Sequence, residues 1–128
     1  MVYKMNEIKN VFIYVLDDFE EPVKLYIGDY VSLTCFGINL VDAISGIVNT
    51  PFSFINKKLI IQIIHSIKIF IECKKVDLQM SDSDFKICYD IDKSFLNNTK
   101  DLSFKVKEVE TFLSKYADKN IKLYISWD

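Results

Sequence analysis

The chain has 128 residues and a formal net charge of −2, with half of its residues hydrophobic and 27% charged. That length supports a single domain, 1–128, able to bury a real core, and ten Phe with seven Tyr exclude a disordered chain. Lysine is the only strongly basic side chain, so the guanidinium fork that grips phosphate, carboxylate or guanine is missing, and the near-neutral balance gives no overall nucleic-acid footprint.

Val11 to Leu16, VFIYVL, is apolar and rich in β-formers, which predicts a strand buried on both faces and ended by Asp17-Asp18. Asp17, Asp18, Glu20 and Glu21 surround Phe19 in an acidic turn closed by Pro22. Val23 to Ile27 predicts a second strand, with Val23, Leu25 and Ile27 on one face and Lys24 and Tyr26 on the other. After the turn Gly28-Asp29, the stretch Tyr30 to Phe36 reads as a third strand of an antiparallel meander. Gly37 breaks the pattern. Asn39 is then placed to cap a short helix whose apolar face is Leu40, Val41, Ile44, Ile47 and Val48. Asn49 and Pro51 end that helix, and Phe52, Phe54 and Ile55 fold the connection onto the core.

The central stretch Lys57 to Lys75, KKLIIQIIHSIKIFIECKK, is the longest and most apolar in the chain. It supports two periodicities. As a helix, Lys58, Gln62, His65, Lys68, Glu72 and Lys75 trace one polar stripe, opposite Leu59, Ile60, Ile63, Ile64, Ile67, Phe70 and Ile71. Ile61 and Ile69 are the misfits. As one or two strands, the odd positions alternate cleanly except at His65, and isoleucine favours extended backbone. Stripe and length together favour the helix.

Val76, Leu78 and Met80, then Phe85, Ile87, Tyr89 and Ile91, alternate with polar residues on either side of Ser81–Asp84, which predicts a β-hairpin. A polar loop follows from Lys93 to Asp101. Ser103 is placed to cap a helix with the stripe Val106, Val109, Phe112, Leu113 and Tyr116, its Lys105, Lys107, Glu108, Glu110 and Lys115 facing solvent. Ile121 to Trp127 closes the chain as a strand. The expected fold class is α+β: a mainly antiparallel sheet with amphipathic helices packed on one face.

Few residues point to chemistry. Asp90, Asp92 and Ser94 match the first, third and fifth places of a calcium loop, but Phe95 stands where glycine is needed and Asp101 where a longer Glu is usual. Cys35, Cys73 and Cys88 form no Cys-x-x-Cys pair, and His65 is the lone histidine, so no zinc site is expected. His65 could serve a small enzyme with a cysteine nucleophile; on a helix Cys73 lies about 12 Å from it, and Cys35 could approach only through the fold. The pairs Asp82/Asp84 and Asp17/Asp18 read as turn formers. No glycine-rich phosphate loop is present. The expectation is no cofactor, no metal and no catalysis.

MVYKMNEIKN lacks the apolar run and cleavage site of a secretory signal. Leu59 to Ile71 is too short and too polar to span a bilayer. The expected setting is therefore a reducing cytoplasm, with three buried unpaired thiols and no glycan on Asn97-Asn98-Thr99. The acidic turn leaves two alternatives: Phe19 packs inward beneath a solvated loop, or it stands exposed among acids and suits a basic protein partner.

The strands VFIYVL and VKLYI, the helix NLVDAISGIV and the late helix KVKEVETFLSKY, in a small acidic Ile/Lys/Asn-rich chain, resemble the layout of small bacterial immunity proteins. Those proteins neutralise the toxin domains of contact-dependent or polymorphic toxin systems. The resemblance implies a cytoplasmic, non-enzymatic protein that binds a cognate toxin and blocks its active site or substrate access, and it carries over no contact residue. The acidic turn itself makes Asp17, Asp18, Phe19, Glu20 and Glu21 the candidate contact residues, and its charge makes a basic nuclease-type domain the candidate partner. The charge balance and the short, polar-interrupted central stretch predict no direct nucleic-acid binding and no membrane association. A structural or oligomer-forming accessory role is the alternative, and an enzyme using His65 a further one.

Overall fold

The computed structural model describes residues 9–51, 53–96 and 102–128. Phe52, the acceptor sequence Asn97-Asn98-Thr99, Asp101 and most of the stretch read for a secretory signal lie outside them. Three strands, β1 (Asn10–Leu16), β2 (Pro22–Asp29) and β3 (Tyr124–Trp127), form an antiparallel sheet in the order β2-β1-β3. Among the described residues there are also a short 3-10 helix, Lys93–Leu96, and five α-helices: α1 (Tyr30–Leu33), α2 (Leu40–Val48), α3 (Lys57–Asp77), α4 (Asp82–Tyr89) and α5 (Leu102–Lys115). The α+β class stands.

β1 is central, and its alternation is decisive. Val11, Ile13 and Val15 are fully buried, whereas Phe12 and Tyr14 on the opposite face are only half-buried. The expected burial of this strand on both faces is thus corrected. One face is core and the other is an aromatic surface. β2 follows its expected pattern, with Ile27 buried and Lys24 and Tyr26 exposed. The last strand is shorter than Ile121–Trp127, although Lys122 still bridges Phe54.

α3 resolves the ambiguity of the central stretch. The Asn56 side chain caps it, accepting the Leu59 N–H at 2.9 Å. Lys74 and Lys75 sit in its last turn, where cations complement the helix dipole. Leu59, Ile63, Ile64, Ile67, Phe70 and Ile71 are buried, and the misfit Ile61 is 57% exposed. The helix packs against α2 and α5. On α5, Val109 and Leu113 are buried along the expected stripe. Ser103 lies inside that helix and so cannot cap it, and Lys105 is half-buried where a solvent-facing residue was expected.

Two expected strands are helices instead. The stretch read as a third strand begins with α1, because Asp29 acts as an N-cap: its Oδ1 accepts the Ser32 N–H at 2.8 Å. Gly28 lets α1 fold back closely, since a Cβ there would stand 3.3 Å from Leu33 Cδ2. The predicted hairpin of 76–91 is likewise overturned. α3 runs on to Asp77, and Ser81 caps α4 by accepting the Asp84 N–H at 3.2 Å. Asp82 and Asp84 then fill the first turn, where carboxylates are favoured. Only Phe85 of the alternating set on α4 is fully buried, and Ile87 is 81% exposed.

Phe36 ties these pieces together. It makes edge or tilted ring contacts with Phe70 of α3 at 5.5 Å, and with Phe85 and Tyr89 of α4 at 6.1 and 5.9 Å. The buried side chains of sheet and helices join in one hydrophobic cluster. Ile63 and Ile67, both fully buried, lie in it. Ile63→Ala or Ile67→Ala should therefore cost about 2–5 kcal/mol in chemical denaturation. A change below about 0.5 kcal/mol at both positions would contradict the assignment of α3 to the core.

Candidate functional site

The β1–β2 connection is an ordered turn. Leu16 pairs with Pro22, and beyond that pair the chain closes on itself. The Asp17 N–H donates to the Glu21 carbonyl and the Glu20 N–H to the Asp17 carbonyl, both at 2.9 Å. One carboxylate oxygen of Asp17 accepts the N–H groups of Phe19 and Glu21 at 2.8 and 2.9 Å. Glu20 takes the left-handed conformation, φ 61°, which such a tight return needs and which costs a non-glycine residue free energy. Asp17 is thus engaged in holding the turn.

The other members of the acidic set face solvent. Asp18, Glu20 and Glu21 are exposed, and Phe19 at the apex is 85% exposed. The inward-packing alternative for Phe19 is overturned. A five-residue turn braced from within by Asp17 cannot fold its apex ring back onto a sheet whose inner face is already filled by Val15 and its neighbours. The result is a projecting aromatic ring framed by three solvent-facing carboxylates.

The remaining candidates are scattered. His65 is exposed on α3 and lines a groove of about 290 Å³ with Ile60, Ile61, Ile64, Lys68 and Glu110. Neither cysteine considered with it lines that groove. Cys35 lies instead in a cavity of about 190 Å³ with Val31, Thr34, Cys88, Tyr89 and Ile91. Burial, with the Asp77 and Asp29 carboxylates, pushes the Cys35 thiol up to about 11. Cys35 therefore stays protonated near neutrality, the opposite of an activated nucleophile. Burial also raises the Tyr89 phenol, and so does the hydrogen bond it donates to the Asp77 carboxylate. Cys88 is exposed and Cys35 and Cys73 are half-buried, correcting the expectation of three buried thiols.

Of the calcium-loop residues, Asp90 forms the left-handed C-cap of α4 and Asp92 lies 3.5 Å from the Lys86 ammonium. Among the described residues, no three His, Cys, Asp or Glu side chains converge to hold a metal ion. No described helix is long and apolar enough to cross a membrane.

Sequence reasoning missed a second surface. On the outer face of the sheet, Phe12 and Tyr26 are cross-strand partners with ring centroids 5.6 Å apart. Tyr14 and Tyr124 stack at 5.1 Å, their planes 17° apart. Lysine ammonium groups lie over these rings: Lys24 over Phe12 at 5.3 Å, Lys105 over Tyr26 at 5.5 Å and Lys122 over Tyr124 at 5.6 Å. The alternation of VFIYVL and KLYI already placed Phe12 with Tyr14 and Lys24 with Tyr26. Only the register could place the pairs beside one another and bring Tyr124 to them.

The thiols give a check on the geometry. In the native protein at pH 8, iodoacetamide should modify Cys88 first and Cys35 last, because the thiolate is the reacting species and only about a thousandth of Cys35 is ionised there. Once the chain is denatured without reductant, all three should react. Fast native modification of Cys35 would contradict its placement in the cavity.

Comparison with family models, with curated proteins and with solved structures finds no match to this chain.

Proposed function

We propose that the protein is a non-enzymatic binding module, an immunity protein that engages a cognate bacterial toxin domain in the cytoplasm through the β1–β2 turn. The observation that carries this reading is the 85% exposure of Phe19 at the apex of a rigid acidic turn. An exposed Phe is an energetic liability in water and an anchor in an interface. Its surroundings suit a basic partner. Asp18, Glu20 and Glu21 surround the ring with negative charge, and Asp17 fixes the backbone so that little ordering entropy is lost on binding.

A nuclease-type toxin presents a positive surface to its substrate. Carboxylates on a projecting turn would imitate phosphates there, with Phe19 filling an apolar pocket beside them. Charge would then act mainly on the encounter rate, and the ring on the lifetime of the complex.

The test separates those two contributions. The triple variant Asp18→Asn, Glu20→Asn, Glu21→Gln leaves Asp17 to hold the turn, and Asn suits the left-handed position of Glu20. Binding to a cognate toxin domain, sought beside this gene, should lose roughly tenfold or more in association rate at low salt, with the difference shrinking at high salt. Phe19→Ala should mainly raise the dissociation rate, by a factor of roughly five or more. An unchanged association rate in the triple variant would remove the turn from the mechanism. Absence of any toxin partner would remove the function.

A further inference from the structure

We infer that the outer face of the sheet is a stacking platform for a short single-stranded nucleic acid. This inference does not rest on the role proposed for the β1–β2 turn. Phe12, Tyr14, Tyr26 and Tyr124 occupy two adjacent cross-strand rows, Phe12 beside Tyr26 and Tyr14 beside Tyr124. The face is built by all three strands and is held from behind by the buried Val11, Ile13 and Val15. Its rings are therefore positioned by rigid backbone, as base stacking requires.

Charge complementarity selects the occupant. Lys24 and Lys122 flank the Tyr14–Tyr124 stack and make no ion pair among the described residues, whereas Lys105 shares its charge with Glu108 at 3.2 Å. Within the two aromatic rows every cross-strand position is aromatic, Lys24 or Ser126, with no carboxylate. An ammonium over a half-buried surface ring is a weak cover. A nucleobase can take its place on the ring while the lysine moves aside to the phosphate. A planar ligand with a negative backbone matches both features at once.

The carboxylates set direction and length. Asp29 and Asp128 lie beyond Phe12 at one end of β1, and the acidic turn lies beyond Tyr14 at the other. A polyanion is thus repelled along the strands and accepted across them, from β2 to β3. Three strands span about 10 Å in that direction, room for about two nucleotides. The chain's net charge of −2 conceals this arrangement, because it sums acids at both ends with lysines in the middle.

Fluorescence anisotropy with labelled oligothymidylate and oligouridylate tests the inference on the intact chain. Binding is expected at low salt, with log K falling against log salt at a slope of about −1.4, the value for two lysine–phosphate contacts on a single strand. Lys24→Gln with Lys122→Gln should flatten that slope towards zero. Tyr14→Leu with Tyr124→Leu should weaken binding by about tenfold or more, while Tyr14→Phe with Tyr124→Phe retains it, because the ring and not the hydroxyl stacks. Circular dichroism confirms folding of each variant. The acidic-turn variant Asp18→Asn, Glu20→Asn, Glu21→Gln should keep oligonucleotide binding, which separates this surface from the toxin reading. Three results would overturn the inference: no binding by the folded wild type at low salt, equal affinity of the leucine variant, or equal affinity for labelled polyglutamate, which would make the face a site for acidic protein segments.

Discussion

The fold depends on burying the broad apolar face of α3. α3 carries Leu59, Ile63, Ile64, Ile67, Phe70 and Ile71 into the core, more apolar surface than one neighbour can cover. α2 and α5 pack against it, and Phe36 reaches Phe70 from the segment after α1. Removing apolar surface from water is the dominant favourable contribution here, and it is non-directional. Direction comes from the caps: Asn56 starts α3, Asn39 starts α2, and Ser81 starts α4. Each fixes where a helix begins and so which face it turns inward.

That core also fixes the sheet. Val11, Ile13 and Val15 must face it, and a slip of one residue would turn all three to solvent. The same alternation commits Phe12 and Tyr14 to the outer face. Pairing with β2 and β3 then gathers Tyr26, Lys24 and Tyr124 around them. The β1–β2 turn projects past the end of this face because its strands continue up to Leu16 and Pro22. Both surfaces offered for binding are consequences of one buried strand. Neither of these proposed sites would require the core to rearrange on binding, because both sit on preformed backbone.

Much of this was legible in the sequence. β2, α2 and α5 follow their periodicities, β1 is a strand as expected although only one of its faces is buried, and the polar stripe and length of the central stretch favour the helix α3 over a strand. The failures have local causes. Gly28-Asp29 has the composition of a turn, yet Asp29 is an N-cap, so α1 stands where the alternation predicts a strand. Ser81-Asp82-Ser83-Asp84 has the composition of a turn and also of a capped first helical turn; seven alternating residues after it could not decide between them. Cap chemistry prevails there: the helix buries Phe85, and Ile91 is buried from beyond its C-cap. Phe19 was undecidable, since its exposure depends on whether the inner face has room. The aromatic face was invisible because it depends on register and on a strand from the far end of the chain.

The central claim is that α3 and β1 are stabilised by the same buried cluster and unfold together. Amide hydrogen exchange measured residue by residue under native conditions tests it most directly. The account predicts that amides of Ile63 to Ile71 and of Val11 to Val15 are the slowest in the chain and share one opening free energy, equal to that of global unfolding, while amides of α4 exchange through a smaller local opening. Exchange of the α3 amides at a distinctly lower free energy than those of β1 would contradict it.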